Sequence, residues 1–483
     1  MSKIMDTTSS LRPTRPLLQI ALLGSLILTG CASVPDLGTA AKPASMQEMA
    51  SQQTLSPGQA GWMSQNWWQS YQDGQLNDIM QEALASSPDM AAAQARLAKA
   101  AGQAEQAGAS KLPSLDLNSS VTKLKQSYNN GMPVAYVPHG YNNSAKVELD
   151  FSYEFDFWGK NRSAIAAAGS ELAAAQAEAA QSRLTLTSAI AAAYAELARL
   201  FAEQDAAEQA LAVRQHSTEL LQQRFDNGLE TLGSLRQAQS RTAAATADLS
   251  VARQAIAQQR LSIAALMGAG PDRGLSIRRP AASLLHPQGL PASLQADLLG
   301  RRPDLAAARL RAEAAASRIN VARAAFYPNV NLSAYLGVQS LGLSLLGKSG
   351  SDIGGVGPAI SLPIFRGGAL QGNYRVARAE YDAAVASYNQ TLTQALHDVA
   401  DVMVQEQELN PQLEQRRLAL QTAEESYQVM QNRYQGGLAS YLDVLNAEDN
   451  VITSRRSAAS LETRLFLLDV NLIKALGGGY QPA

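Results

Sequence analysis

Residues 87–120 read SPDMAAAQARLAKAAGQAEQAGASKLPSLDLNSS, and residues 302–335 read RPDLAAARLRAEAAASRINVARAAFYPNVNLSAY. Pro88 matches Pro303 and Pro113 matches Pro328, both at an offset of 215, so no gap intervenes. Asp89/Asp304, Arg96/Arg311 and Leu117/Leu332 keep the same register. Farther on, RFDNGL (Arg224 to Leu229) matches RYQGGL (Arg433 to Leu438) at an offset of 209. Ala-rich helices imitate one another by composition, but matched Pro, Asp, Gly and Arg do not arise that way. The chain is an internal duplication. The six residues lost between the anchors are expected in a shorter hairpin loop of the second half.

Each half spells the same order of elements. Pro88 or Pro303 opens a helix, with Asp89 or Asp304 favourable to its dipole, and Pro113 or Pro328 ends it. Two extended stretches follow, about 113–126 and 144–157 in the first half and about 328–341 and 355–365 in the second. KVELDFSYEFDF alternates as a strand with two unlike faces does. Four strands cannot close a membrane barrel, for which about eight is the minimum; hairpins pooled from several subunits can.

Beyond each hairpin the chain turns helical. No proline lies between Pro138 and Pro271, and 160–226 holds a single glycine, Gly169. Some 65 residues of helix would reach about 100 Å, which implies a coiled coil or a helical tube. In the second half Asn410-Pro411 is expected to kink or restart the helix, with Asn410 as its cap. Gly228 and Gly437 supply the backbone freedom to reverse direction, after which helices return over 230–267 and 440–476.

Composition limits the chemistry. The 483 residues carry 40 Lys+Arg against 42 Asp+Glu, net −2, with no basic run of the kind that neutralises nucleic-acid phosphates. A single cysteine excludes a disulfide framework and a Cys-based zinc site. His139, His216, His286 and His397 share no ligand spacing, so neither a metal nor a cofactor is expected. No nucleophile elbow, phosphate loop or paired-acid site emerges, which argues against an enzyme.

The N-terminus is an address. Lys3, Arg12 and Arg15 precede an apolar stretch, Leu17 to Leu28, too short to span a bilayer and laid out as a secretory signal. It ends Leu28-Thr29-Gly30-Cys31. Hydrophobic length, small residues and cysteine position favour a lipobox, with Cys31 acylated after cleavage, over a buried free thiol. Such sequences resemble bacterial lipoproteins, and Ala32 resembles those passed to the outer membrane. The mature net charge is then −4. No later uninterrupted apolar run reaches the roughly 18 residues of a membrane helix, so a crossing must be a β-barrel.

WWQSYQDGQLNDIMQEAL (67–84), YEFDFWGK (153–160), LGRRPDLAAAR (299–309), ARAAFYPNVNLSA (322–334), LPIFRGG (362–368) and KALGGGY (474–480) follow in order. With them nearly the whole mature chain resembles the TolC-like outer membrane factors, specifically the lipoprotein, OprM/NodT-type branch of the RND efflux channels. The resemblance implies a mainly α fold with β: a homotrimer whose protomers give four strands each to a 12-stranded outer-membrane barrel, continuous with a 12-helix periplasmic tunnel. It divides the chain into a signal peptide (1–30), a lipidated equatorial segment (31–75), a first repeat (76–270), an equatorial linker (271–300), a second repeat (301–476) and a tail (477–483).

It also implies partners: a periplasmic adaptor and an inner-membrane pump, with outer-membrane lipid around the barrel and no nucleic acid. Adaptor-contacting tips fall on Asn227, Gly228, Leu229, Gly436, Gly437 and Leu438; the family often has Val where this chain has Asn227 and Gly436. The periplasmic gate falls on Tyr434, Asp443 and Asn446. Three residues apart on one helix, Asp443 and Asn446 share a face, and threefold symmetry would make each a ring. Many members carry acid at both positions, so Asn446 weakens the ring, and Glu448 and Asp449 are expected to restore charge a turn beyond. Arg236 is a candidate gate ion-pair partner, and Ser234 stands where some members have Asp. Of the tryptophans, Trp62, Trp67 and Trp68 read as equatorial packing, and Trp158 as an interface marker. The implied function is a passive exit duct for small compounds. The alternatives are a duct for type I protein or peptide export, and a periplasmic coiled-coil lipoprotein scaffold.

Overall fold

The computed structural model describes residues 33–45, 48–49, 62–281 and 301–481. Cys31, the signal peptide 1–30 and the linker residues 282–300 lie outside the described residues. The described residues fall into two compact units, one holding 33–42, Ala101–Glu171 and Arg311–Val385, the other holding the described residues of 43–100, 172–310 and 386–481.

The order is α1 (Gly74–Ser86), α2 (Pro88–Ala109), β1 (Ser114–Leu124), β2 (Asn142–Phe155), α3 (Lys160–Asp226), α4 (Leu232–Leu266) and α5 (Pro271–Leu275). The second half follows with α6 (Pro303–Ala324), β3 (Asn329–Leu341), β4 (Asp352–Ser361), α7 (Ala369–Gln435) and α8 (Tyr441–Ala475). The duplication is exact in its helices: α2 and α6 have 22 residues, α3 and α7 have 67, and α4 and α8 have 35. The length difference falls between them. The hairpin loop 125–141 is seven residues longer than 342–351, whereas the connection 362–368 is three longer than 156–159.

The first unit is built on a four-stranded antiparallel sheet in the order β1-β2-β3-β4. Its register aligns Leu117 with Leu149, Leu149 with Leu336, and Leu336 with Gly354; an even number of residues along the strands, and so on the same face, Val121 pairs with Ala145 and Ala334 with Val356. Alternation then gives the sheet one apolar face. Leu115, Leu117, Val121, Leu336, Val356 and Ile360 on that face are each more than 60% exposed. The opposite face is polar. There Lys146 pairs with Glu148 at 2.6 Å, and Asn118 donates to Asp150 at 2.8 Å. Where the chain leaves β2, Asp156 accepts from the backbone N–H groups of Asn161 and Arg162 and starts α3. Trp158 stacks on Tyr327 and donates to the Pro328 carbonyl at 2.8 Å, so this half-exposed ring is tied to the base of β3.

The second unit is helical. Asp73 caps α1 by accepting from Leu76 N–H, and Leu76, Ile79, Met80 and Ala83 are fully buried behind it. They join Trp67, Trp68 and Tyr71 with Ile190, Tyr194 and Leu197 of α3 and Phe466, Val470 and Ile473 of α8. Trp62 packs at the edge of a second cluster around Leu392, Val399 and Leu472. The three N-terminal tryptophans are thus packing residues, as expected.

One sequence expectation changes. α7 runs unbroken through Pro411, and Asn410 is no cap. Proline removes one N–H from the ladder, but Leu409 and Leu413 on either side are buried and hold the turn against its neighbours. α3 does contain an 18-residue window of high mean hydropathy, but it is no uninterrupted apolar run, and 56% of it is buried inside the chain as in the core helix of a packed unit.

The motifs RRPD and GGG meet. Arg302, 7% exposed, donates to Asp304, to Asp398 on α7 at 3.0 Å, and to the Ala475 carbonyl at the end of α8. Just beyond, a Cβ on Gly477 (φ +88°) would lie 2.0 Å from the Arg301 carbonyl oxygen. Gly477→Ala should therefore cost about 2–5 kcal/mol from left-handed strain plus overpacking. Gly102→Ala, on an exposed turn of α2 with nothing near the added carbon, should be neutral or stabilise by up to about 1 kcal/mol. Thermal unfolding followed by circular dichroism compares the two; an unchanged midpoint in Gly477→Ala contradicts the close approach.

Candidate functional site at the helical turns

Both helical hairpins turn by the same device. Gly228 N–H bonds the Phe225 carbonyl and Leu229 N–H the Arg224 carbonyl, each at 2.8 Å. In the second half Gly437 N–H bonds the Tyr434 carbonyl at 3.0 Å and Leu438 N–H the Arg433 carbonyl at 2.8 Å. These are Schellman caps, which need a left-handed residue, and Gly228 and Gly437 have φ +75° and +74°. Gly436 carries no such demand, which is why Asn227 can occupy its place in the first half. Asn227, Gly228, Leu229, Gly436, Gly437 and Leu438 are all exposed, with Leu229 and Leu438 at 67% and 73%.

The returning helices begin with side-chain caps at matching positions. Thr231 accepts from Ser234 N–H, and Ser440 accepts from Asp443 N–H. Asp443 completes a capping box, its Oδ2 accepting from Ser440 N–H at 2.9 Å and from the Ser440 hydroxyl at 2.8 Å. Ser440's hydroxyl and N–H hold the Asp443 carboxyl below the usual carboxylate range. Asp443 and Asn446 are both exposed, a turn apart on one face of α8.

Tyr434 lies inside the hairpin pair. It is buried with Leu221, Leu235, Tyr441, Val444 and Leu445, under the Arg224 guanidinium at 5.0 Å, and its hydroxyl donates to Glu230 at 3.2 Å. Burial alone would raise the Glu230 carboxyl. The Thr231 N–H, the Ser234 and Tyr434 hydroxyls and the Arg224 charge outweigh it and hold the group low. Tyr434 thus bridges the second hairpin to the first.

Above the turns, α3, α4 and α8 are joined by charge. Arg214 donates to Glu448 at 3.0 Å and to Asp449 at 2.9 Å, and Arg241 donates to Asp449 at 2.6 Å. The expectation that Glu448 and Asp449 add free charge to a ring is replaced: Glu448 is buried and Asp449 is shared by two arginines. Burial pushes the Glu448 carboxyl up, with Arg214 pulling against it. Burial and the Glu448 charge push the Tyr441 hydroxyl up to about 12. Arg236 bonds Gln239 on its own helix rather than a gate acid. Arg214, Arg241 and Glu230 escaped the sequence reading because their partners lie more than 200 residues away. The capping box did have a local signature, Ser440-x-x-Asp443.

An open-edged, two-faced sheet with paired helical hairpins defines an outer-membrane channel subunit. The chain belongs to the outer membrane efflux protein family, whose pattern matches residues 79–269 and 294–478. It is 30% identical over 475 residues to the multidrug resistance outer membrane protein MdtP of Escherichia coli O6:H1, with 97% of both chains covered. It is 34% identical over 382 residues to the fusaric acid resistance protein FusA of Burkholderia cepacia, covering 76% of this chain and 70% of that one. The solved outer membrane protein VceC of Vibrio cholerae is 48% identical, with a TM-score of 0.81 over 87% of this chain and 100% of VceC. The family is made of channel proteins, and this chain is an outer-membrane efflux channel with a TolC-like fold.

Asp443 and Glu230 both have lowered carboxyl pKa values. Each therefore contributes stability above its unfolded value of about 4, lost as pH falls through the still lower folded value. Spin labels at Leu229 and Leu438 should become more mobile at pH 3 than at pH 7, with Glu230→Gln partly mobile already at pH 7. Equal mobility at both values contradicts the carboxylate-held turns.

Proposed function

We propose that three copies of this chain form a passive exit duct that takes small organic compounds from an inner-membrane transporter and a periplasmic adaptor across the outer membrane. The sheet carries this reading. Four strands with one apolar and one polar face have the alternation of a membrane barrel, lipid outside and water within. Strands of 10 to 14 residues suit its thickness. Three copies give twelve strands, an even number within the range of such barrels. The names of MdtP and FusA support small compounds as cargo.

The assignments of side chains are part of the proposal. The exposed turns Asn227-Gly228-Leu229 and Gly436-Gly437-Leu438 meet the adaptor. Asp443 and Asn446 line the closed periplasmic end, Tyr434 anchors the moving hairpin through Glu230, and Asp449 acts through its arginines rather than as a free ring charge. Cys31 carries the lipid that fixes the mature N-terminus to the outer membrane, two or more acyl chains making the anchor stable. The duct performs no chemistry of its own, since energy enters at the inner-membrane partner.

Single-channel recording in planar bilayers tests the duct. The wild type should show discrete, cation-preferring steps. Asp443→Asn, which keeps an acceptor for Ser440, should weaken the preference, and Asp443→Ala, which also loses the cap, should raise conductance. Silence from all three, with assembled protein confirmed in the membrane, contradicts the duct.

A further inference from the structure

The apolar face of the sheet carries charge at its edges alone. Alternate residues make up that face, from Leu115 to Lys123, Asn143 to Phe155, Val330 to Ser340 and Asp352 to Ile360. Of these, Lys123 and Asp352 are the charged ones. Both are exposed, and neither side chain has a hydrogen bond or ion pair among the described residues. Lys123 stands on the open edge of β1 and Asp352 on the open edge of β4, both at the hairpin-loop end of the sheet. Within one chain three strand spacings, about 14 Å, keep them apart. A charge on a lipid-facing surface is costly unless it is paired or close to the headgroups.

Barrel closure restricts how β4 of one copy can meet β1 of the next. Their stagger must be even, or the apolar set of one chain would turn into the lumen. Stepping across partners runs Leu117, Leu149, Leu336, Gly354, and then reaches β1 of the next copy. In a twelve-stranded barrel, a return roughly two, four or six residues from Leu117 tilts the strands by about 19°, 35° or 46°. Membrane barrels tilt by about 35–45°, which leaves four and six. A stagger toward the start of β1 would slide β4 off its end.

We propose that β4 pairs with β1 of the next copy in the register that sets Gly354 opposite Val121 and joins Asp352 to Lys123 as an ion pair between copies. All ten residues of β4 then oppose β1, along Ser114 to Lys123. Ile360 meets Leu115 and Val356 meets Ser119. The wider stagger leaves Lys123 against Gly354 and carries Asp352 past the end of β1. There it would meet Lys125, which already lies over the Tyr128 ring at 5.4 Å. The proposal rests on the three-copy duct and specifies its seam.

Oxidative cross-linking of the full chain in outer-membrane vesicles tests the register. Ser119→Cys combined with Val356→Cys puts two thiols at directly opposed positions of neighbouring copies and should give covalent trimers. Within one chain the two are too far apart to bridge. Val121→Cys with Val356→Cys, opposed only in the wider stagger, should link poorly. Each single variant, which keeps Cys31, is the blank. Separately, Lys123→Glu should lower the temperature at which trimers dissociate on gels, and adding Asp352→Lys should restore it. Wild-type trimers with no Ser119–Val356 link, or with preferential linkage through Val121→Cys, overturn the register and leave the duct standing. So does a double charge variant no more stable than Lys123→Glu. Absence of wild-type trimers overturns the duct and the register together. Should the cysteine forms fail to assemble, the charge exchange decides.

Discussion

The sheet is a fragment of something larger. β1 and β4 leave their outer edges without strand partners among the described residues, and one whole face of the sheet is apolar. An open edge invites another strand, and an exposed face of Leu, Val and Ile invites lipid. In water either feature alone favours aggregation. Closing the sheet with other copies inside a bilayer removes both, because every backbone group then has a partner and the apolar face has its solvent. The polar face, held by the Lys146–Glu148 pair and the Asn118–Asp150 bond, becomes the wall of an aqueous passage.

The helical unit meets a different demand. Its long helices are rich in alanine, which allows close approach and buries little area per residue, so a few strong anchors do much of the positioning. Arg302 gathers the start of α6, the middle of α7 and the end of α8. Gly477, Gly478 and Gly479 then pass so near Arg301, Leu184 and Ser64 that no side chain fits. Toward the turns the clamps become electrostatic: Arg214 and Arg241 grip Glu448 and Asp449, and Tyr434 reaches Glu230. Pairs of that kind are remade more readily than a packed core, which suits the opening proposed for this end.

Much of this was legible in the chain because duplication repeats its punctuation. Proline, aspartate and glycine at fixed offsets located these helix ends to within about four residues, and the glycines of the two turns have the left-handed backbone anticipated for them. Where legibility failed, the deciding partner was distant in sequence. Asn410-Pro411 obeys a local rule that buried Leu409 and Leu413 override. Glu448 and Asp449 looked like free acids because nothing near them announces Arg214 or Arg241. Asp443 had a readable role as a helix cap, obscured by its equally readable place on an exposed face.

The central claim is that one chain supplies a third of a closed barrel. Native mass spectrometry of the protein released from detergent counts the copies and weighs each N-terminus. Three chains, each beginning at Cys31 with added acyl mass, are predicted. A stable folded single chain, its two sheet edges still open, would contradict the account.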